Sequence, residues 1–519
     1  MSVRDLLAAW DPGRARHRAH AALFLAAAVA LFAGAAGREL YGIYVFYASI
    51  AAHISTSGDW LNLQANGQPY HHKPPLLFWL AAAAMNLLGQ GGLAATLFPR
   101  LIGLATVMLT VHVGARLVGR GAAWCAGLVL LTSGIFIQSA TNFRMEQGLA
   151  CGVLLALTGI LSPRSDWWRA ALVYLGTVFA VMTKGPVGLL PLPVVVAHAL
   201  AARRLPWRTS PLAWIALAPL LALPLGWYAL QGWQHGDQFT VGADPEAGGR
   251  AAGRTLLAEV WNAYGRKLLT TWGHWLPFFA LGLAVAWKRW HHPAAAPVRR
   301  AHLVALMVWA GVVIAGAMLK TGMATRYLVP AFPALALIAG VGLVTVLRAR
   351  PRSGALAGLA RRSAAARVAV LRGVAIAVAL LAALALPVLA LLPARTLGDT
   401  RPQLALMRAA ADARLAPDAP LAVLRLGDDT KWWDETWCGF YLGRPGAALA
   451  LPAAARSLTD PVPVAAPRWA DCVRDRRHTG LASDGPVLVP RAAWASIAAA
   501  RGLRELARTR TFVLAEPLP

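Results

Sequence analysis

Apolar segments of about twenty residues recur along the chain, and every second gap between them is loaded with arginine. Residues 21–37, 301–319 and 368–392 carry few or no charges, and a hydrocarbon core about 30 Å thick needs about 20 such residues per helix. With the N-terminus in the cytoplasm, the first spans fall near residues 21–37, 95–115 and 122–140. A fourth returns to Arg164 and Arg169, a fifth leads out to Lys184, and a sixth comes back to Arg203, Arg204 and Arg208. The seventh lies near 210–230, and the eighth returns to Lys288, Arg289, Arg299 and Arg300. A ninth leads out to Lys320, a tenth returns to the basic stretch 348–372, and an eleventh covers about 373–393. On this count every arginine cluster is cytoplasmic, as the positive-inside rule requires. The short apolar run 74–89, opened by two prolines, is then expected to lie along the interface or re-enter; as a full span it would invert every later loop. The first span follows Arg4, Arg14, Arg16 and Arg18 and is expected to be an uncleaved helix, because its apolar part is long for a signal peptide and further spans follow.

Composition changes this picture little. The 519 residues are 58% hydrophobic and 14% charged, with a formal net charge of +27. In a soluble protein that charge would suggest nucleic acid. Here the arginines sit between apolar spans, where they hold cytoplasmic loops beside anionic lipid, and no basic domain with interleaved aromatics stands apart, so no nucleic-acid partner is expected. The composition breaks near residue 394. Residues 1–393 are expected to form a membrane domain, with an external loop 38–94 carrying interfacial helices, and 394–519 a small α/β domain outside the membrane. In that tail 420–426, 486–489 and 511–515 read as strands, with a helix over 491–501. Cys125 and Cys151 lie in spans; Cys438 and Cys472 both lie in the external tail, where a disulfide is possible. No zinc-ligand spacing occurs.

The external loops hold most of the remaining polar residues. The first reads Arg38-Glu39-Leu40-Tyr41, then Ser57-Gly58-Asp59-Trp60, then Gly67-Gln68-Pro69-Tyr70-His71-His72-Lys73-Pro74-Pro75. A lysine set between histidines and a double proline has little backbone freedom, which suits holding an anion at the bilayer surface. Arg144, Glu146, Lys184, His274 and Arg326 fall on the same face by this topology.

The run Gly58-Asp59-Trp60 … Pro69-Tyr70-His71-His72-Lys73-Pro74-Pro75-Leu76-Leu77-Phe78-Trp79-Leu80 resembles the first-loop signature of the aminoarabinose transferase and protein mannosyltransferase superfamily. These are integral-membrane glycosyltransferases of the GT-C fold. Arg144-Met145-Glu146-Gln147-Gly148-Leu149, Thr183-Lys184-Gly185-Pro186 and Arg326-Tyr327-Leu328-Val329-Pro330-Ala331-Phe332-Pro333 follow in the family's order, and Phe440-Tyr441-Leu442-Gly443-Arg444-Pro445 resembles the periplasmic domain of its bacterial members. The resemblance implies an all-α polytopic membrane domain of about 11–13 transmembrane helices with a small C-terminal α/β periplasmic domain. It places the protein in a bacterial inner membrane. It also implies transfer of a sugar from a polyprenyl-phosphate donor, usually with inversion, to an envelope glycolipid of the lipid A kind, a glycan or a protein on the periplasmic face.

Such a reaction needs cations for the departing phosphate, and Lys73, Arg144, Lys184 and Arg326 are the candidates. Asp59, Tyr70, His72 and Tyr327 are candidate substrate-binding residues. A hydroxyl acceptor also needs a carboxylate as base, and here the sequence departs from the family: the acidic position after the first span falls near Ile43 and Tyr44. Glu39 could take that role through a local insertion, Glu146 could take it instead, or an anionic acceptor such as a glycolipid phosphate could dispense with a strong base. Structural roles stand beside these: an interfacial Arg38–Glu39 pair, a Glu146–Arg144 pair at a helix N-terminus, a capping Asp59, and snorkelling lysines at 73 and 184. No cofactor is required; His72 and His274 could share a divalent ion. The rival readings are a catalytically inactive GT-C-like protein and a lipid or solute transporter. No internal repeat is visible, and the polar groups gather at one face rather than mid-span.

Overall fold

The computed structural model describes residues 15–32, 39–65, 68–236, 260–291, 297–319, 324–348, 401–415, 421–425, 437–442, 446–450, 486–491, 494, 498, 503–509 and 512–517. The eleventh span, Lys320, Cys472, the 393/394 boundary and most of the helix expected over 491–501 lie outside them. Two units divide the chain. The first comprises Met1–Ala33, His71–Leu77 and Pro99–Leu391, the second Gly34–Tyr70, Phe78–Phe98 and Leu392–Pro519.

The helices in chain order are α1 Ala15–Phe32, α2 Ile43–Ser57, α3 Leu76–Leu88, α4 Gly92–Leu117, α5 Arg120–Leu131 and α6 Gly134–Thr141. They continue with α7 Glu146–Ile160, α8 Asp166–Lys184, α9 Pro191–Ala201, α10 Pro211–His235 and α11 Arg266–Trp290. Then come α12 Pro297–Leu319 and a 3-10 turn, Thr325–Ala331, that leads into α13 Phe332–Arg348. Among the described residues, five helices are long and apolar enough to cross a membrane: Gly92–Leu117, Pro211–His235, Arg266–Trp290, Val298–Met318 and Thr325–Leu347. Leu76–Leu88, Glu146–Ile160 and Pro186–Ala201 are shorter apolar helices. The first of these has 13 residues, about 20 Å at 1.5 Å per residue, which is short of the hydrocarbon thickness.

In the first unit α13 is deeply enclosed, with Ala334, Ala336, Leu337, Ile338 and Ala339 all buried. Its glycines let other backbones come close: a Cβ on Gly340 would collide with the Ala122 carbonyl of α5, and one on Gly342 with the Phe278 carbonyl of α11. Small residues at such crossings permit the close packing that membrane helices rely on, since lipid offers no hydrophobic gain for their association. The hairpin of α7 and α8 uses the same device. A Cβ on Gly152 would sit 2.5 Å from the Gly176 carbonyl oxygen. Ser165 caps α8 by accepting the Trp168 N–H at 3.4 Å, and Asp166 pairs with Arg169 at 2.7 Å in the first turn. Because the short loop 161–165 makes the two helices antiparallel, the start of α7 lies beside the end of α8.

The span expected over 122–140 is broken: α5 and α6 meet at 68°. Thr132 and Ser133 explain the bend. Their hydroxyls donate back to the Leu128 and Val129 carbonyls at 2.8 and 2.5 Å, and the Trp275 indole N–H donates to Thr132 Oγ1 at 3.1 Å. The C-terminal end of α6 is in turn held by Arg100, a fully buried guanidinium inside α4. It donates to the Thr141 carbonyl at 3.0 Å and to that of Leu31 near the end of α1. A cation at two helix C-termini is favourably placed in the helix dipoles.

The second unit contains α2, whose C-terminal Gly58 takes φ 74° and donates its N–H to the Ile54 carbonyl at 3.0 Å; that left-handed cap favours glycine. A two-residue hairpin follows, β1 Gln64–Ala65 with β2 Gln68–Pro69. The tail contributes α14 Arg401–Asp412 and five strands, β3 Leu421–Arg425, β4 Gly446–Ala450, β5 Val487–Pro490, β6 Leu503–Arg508 and β7 Phe512–Pro517. The sheet order is β4-β3-β5-β7-β6, with β3 parallel to β4 and β5, and β7 antiparallel to β5 and β6. The expected α/β tail is therefore present, with β4 and β6 added to the three strands read from the sequence.

The α7–α8 contact has a direct test. Gly152→Ala forces the two backbones apart and should cost about 1–3 kcal/mol, read as a lower unfolding temperature of the purified protein. An unchanged transition would mean the hairpin does not depend on this approach.

Candidate active site

The antiparallel α7–α8 hairpin sets Glu146, in the first turn of α7, beside Lys184, in the last turn of α8. Each charge lies at the helix end where the dipole favours it. Lys184 Nζ donates to Glu146 Oε1 at 2.7 Å, with both side chains nearly buried. Arg326, from the 3-10 turn before α13, places Nε 3.7 Å from the same carboxylate oxygen. Arg144 also acts on Glu146 through its charge, and Lys73 acts likewise on Lys184. The neighbouring Gln147 is buried and ties α7 to α6, donating to the Phe136 carbonyl at 3.1 Å. These residues therefore form a cluster of cations around a buried carboxylate, as the ordered motifs at 73, 144–146, 184 and 326 suggested they could.

Tyr327 organises two of the cations. Lys184 Nζ lies 5.0 Å from the centre of its ring and Arg326 Cζ 4.9 Å, while an Arg326 N–H donates to the Tyr327 hydroxyl at 3.1 Å. The carbonyl of Pro330, on the same turn, accepts the Trp309 indole N–H at 2.8 Å. Gly185, with φ 84°, reverses the chain directly after Lys184 and admits the Tyr228 hydroxyl where a side chain would stand.

A cavity of about 450 Å³ opens on this cluster. Lys73, Lys184, His72 and Tyr327 form its polar end; Leu149, Leu190, Val312, Val313, Ala317 and Pro330 are among its apolar lining. Its size is that of a small-molecule site. The apolar lining from residues 187–193 and from α12 carried no polar signal in the sequence, and no reading of motifs would have singled it out.

Glu39 belongs to the second unit, where it is buried; its Oε1 accepts from the Trp437 indole at 3.0 Å and from the Thr509 hydroxyl at 3.2 Å. The adjacent Leu40 N–H donates to the Tyr441 hydroxyl at 2.5 Å. Tyr70, in the same unit, is buried in an aromatic cluster with Phe46, Tyr47 and Phe78. Asp59 caps a turn: its carboxylate accepts the Leu61 and Asn62 N–H groups at 3.1 and 3.0 Å and the Asn62 amide at 2.9 Å. The hydrogen bonds from Asn62, backbone first, hold Asp59 below the usual carboxylate range. His274 rests against Trp275, with ring centres 5.1 Å apart. Among the described residues no group of three His, Cys, Asp or Glu side chains is arranged to hold an ion.

Residues 72–228 match the model of the family described as Dolichyl-phosphate-mannose-protein mannosyltransferase. An uncharacterized protein of Aquifex aeolicus is 29% identical over 199 residues, which are 37% of this chain and 40% of the relative's length. Among solved structures, ArnT from Cupriavidus metallidurans in the apo state superposes with a TM-score of 0.65 at 20% identity, covering 97% of this chain and 99% of that one. The same protein bound to undecaprenyl phosphate gives 0.61 at 20% identity, covering 96% and 98%. The oligosaccharyltransferase of Archaeoglobus fulgidus gives 0.50 at 13% identity, covering 92% and 70%. The chain has the ArnT-like GT-C fold, and over residues 72–228 it matches the mannosyltransferase family.

Proposed function

We propose that this protein is a membrane glycosyltransferase that moves a sugar from a polyprenyl-phosphate carrier to an envelope acceptor, a lipid A-like glycolipid, a glycan or a protein. The observation that carries the reading is the cavity with Lys73, Lys184 and Tyr327 at one end and apolar side chains along the rest. A phosphate on an isoprenoid tail has that same division, an anion at one end and hydrocarbon at the other. The structural relative bound to undecaprenyl phosphate supports the same ligand class.

In the reaction an acceptor oxygen attacks the anomeric carbon as the bond from that carbon to the phosphate oxygen breaks. The electron pair leaves with the phosphate, and the sugar inverts. Lys73 and Lys184 supply positive charge for the leaving phosphate, with Arg326 and Arg144 adding to the field around it; cations near developing negative charge lower a barrier most where water is excluded. Glu146 takes the proton of a hydroxyl acceptor. Glu39 is tied to Trp437 and Thr509 and acts as a structural carboxylate in its own unit. Tyr327 and His72 line the substrate space. The alternation of arginine-rich loops supports a cytoplasmic N-terminus and a site on the opposite, external face, which in a bacterial inner membrane is the periplasmic side. The cations meet the charge requirement without a metal.

Transfer is tested in vitro with a polyprenyl-phosphate sugar and extracted envelope lipids, with products read by mass spectrometry. A new glycosylated product together with free polyprenyl phosphate is expected; no product with any of a panel of donors, or transport of the donor without transfer, would contradict the reading. Lys73→Ala should lower turnover by about 10²-fold or more. Glu146→Gln should lower it by about 10²–10⁴-fold with a hydroxyl acceptor, and Glu39→Gln by far less. The reverse order of the two Gln variants would move the base to Glu39.

A further inference from the structure

Lys184 stands between two anion positions: it donates to Glu146 on one side and lines the cavity with Lys73 on the other. We propose that Glu146 restrains Lys184 in the empty site and that the departing phosphate takes Lys184 from it, so that the lysine moves from carboxylate to phosphate as the sugar leaves. The inference rests on the reading of this cavity as a polyprenyl-phosphate site.

Three features of the cluster support the exchange. The first is charge. A sugar donor is a phosphodiester with one negative charge, whereas the polyprenyl phosphate released is a monoester with about −1.5 to −2 at neutral pH. Transfer thus adds about half to one negative charge at the phosphate, enough to compete with the single charge that Lys184 neutralises on Glu146.

The second is that Glu146 has a second cation. Arg326 Nε stays 3.7 Å from the same oxygen, and Arg144 acts on it as well. A buried carboxylate losing its only partner would cost several kcal/mol; with Arg326 in place, Lys184 can leave without stranding the charge. Arg326 is poorly suited to move itself, because it is stacked on Tyr327 and hydrogen-bonded to its hydroxyl.

The third is freedom of movement. Lysine is a point charge on a flexible four-carbon stem, and Lys184 ends α8 with its side chain already lining the cavity. The Tyr327 ring, 5.0 Å from Nζ, belongs to the cavity wall and gives the ammonium a favourable surface along the way. With Lys184 gone, Glu146 is released to face the acceptor hydroxyl, so the proton acceptor becomes available in the same step that creates the leaving group.

The test uses the full-length protein in phosphatidylcholine nanodiscs and two probes, undecaprenyl phosphate and its methyl phosphodiester. Wild type should bind the monoester about tenfold or more tightly than the diester, a coupling of ordinary size. Glu146→Gln should tighten monoester binding by about fivefold or more, and the gain should vanish when Lys184→Gln is added, as a double-mutant cycle requires if the two residues act on each other. Equal or weaker monoester binding by Glu146→Gln, or a gain that persists without Lys184, would overturn the exchange while leaving the lipid-phosphate reading intact. Wild type that binds neither probe would remove both. Should Glu146→Gln fail to fold, the monoester-to-diester ratio of wild type decides alone, and a ratio near one sinks the proposal.

Discussion

Everything proposed for this protein depends on one buried ion pair, Lys184 with Glu146 at 2.7 Å. A charge pair withdrawn from water is costly unless its geometry is good and further partners share the charge. Here Arg326 shares the carboxylate and Tyr327 shares the cations. The pair exists because α7 and α8 are antiparallel and packed at backbone distance through Gly152 and Gly176. A residue at the start of one helix must then meet a residue at the end of the other. The 3-10 turn that carries Arg326 and Tyr327 closes the cluster, steadied by the hydrogen bond from Trp309 to the Pro330 carbonyl.

The same arrangement explains why one end of the cavity is cationic and the rest apolar. The helix ends and turns converge on the polar end, where unsatisfied backbone groups and charged side chains collect. The walls come from the body of α12, from Leu149 of α7 and from the apolar stretch 187–193 that leads into α9. Polar residues on those walls would have been expensive in lipid, so the division of the site follows from the physics of the bilayer as much as from the needs of a lipid-linked substrate.

Much of this was legible in the amino-acid sequence, because apolar length and arginine placement are strong signals in membrane chains. The segments now seen as α4, α10, α11 and α12 could be anticipated, and the motifs holding Lys73, Glu146, Lys184 and Arg326 named residues that do gather. What stayed hidden depends on distant partners. Thr132-Ser133 reads as a mild interruption in an apolar run, and only the back-bonding hydroxyls and the Trp275 contact turn it into a 68° bend. Arg100 is a lone charge within an apolar span, and only the structure shows it buried on two helix ends. Glu39 finds Trp437 and Thr509 about four hundred residues or more further along the chain. Strand β4, Gly-Ala-Ala-Leu-Ala, has a helix-forming composition; its pairing with β3 overrides that preference.

The most direct test of the central claim is a cryo-electron-microscopy structure of the full-length protein with undecaprenyl phosphate bound. The account predicts phosphate density between Lys73 and Lys184, with the isoprenoid running along Leu190, Val312 and Val313 and Lys184 drawn away from Glu146. Lipid-phosphate density elsewhere, with this cavity empty and the Lys184–Glu146 pair intact, would contradict it.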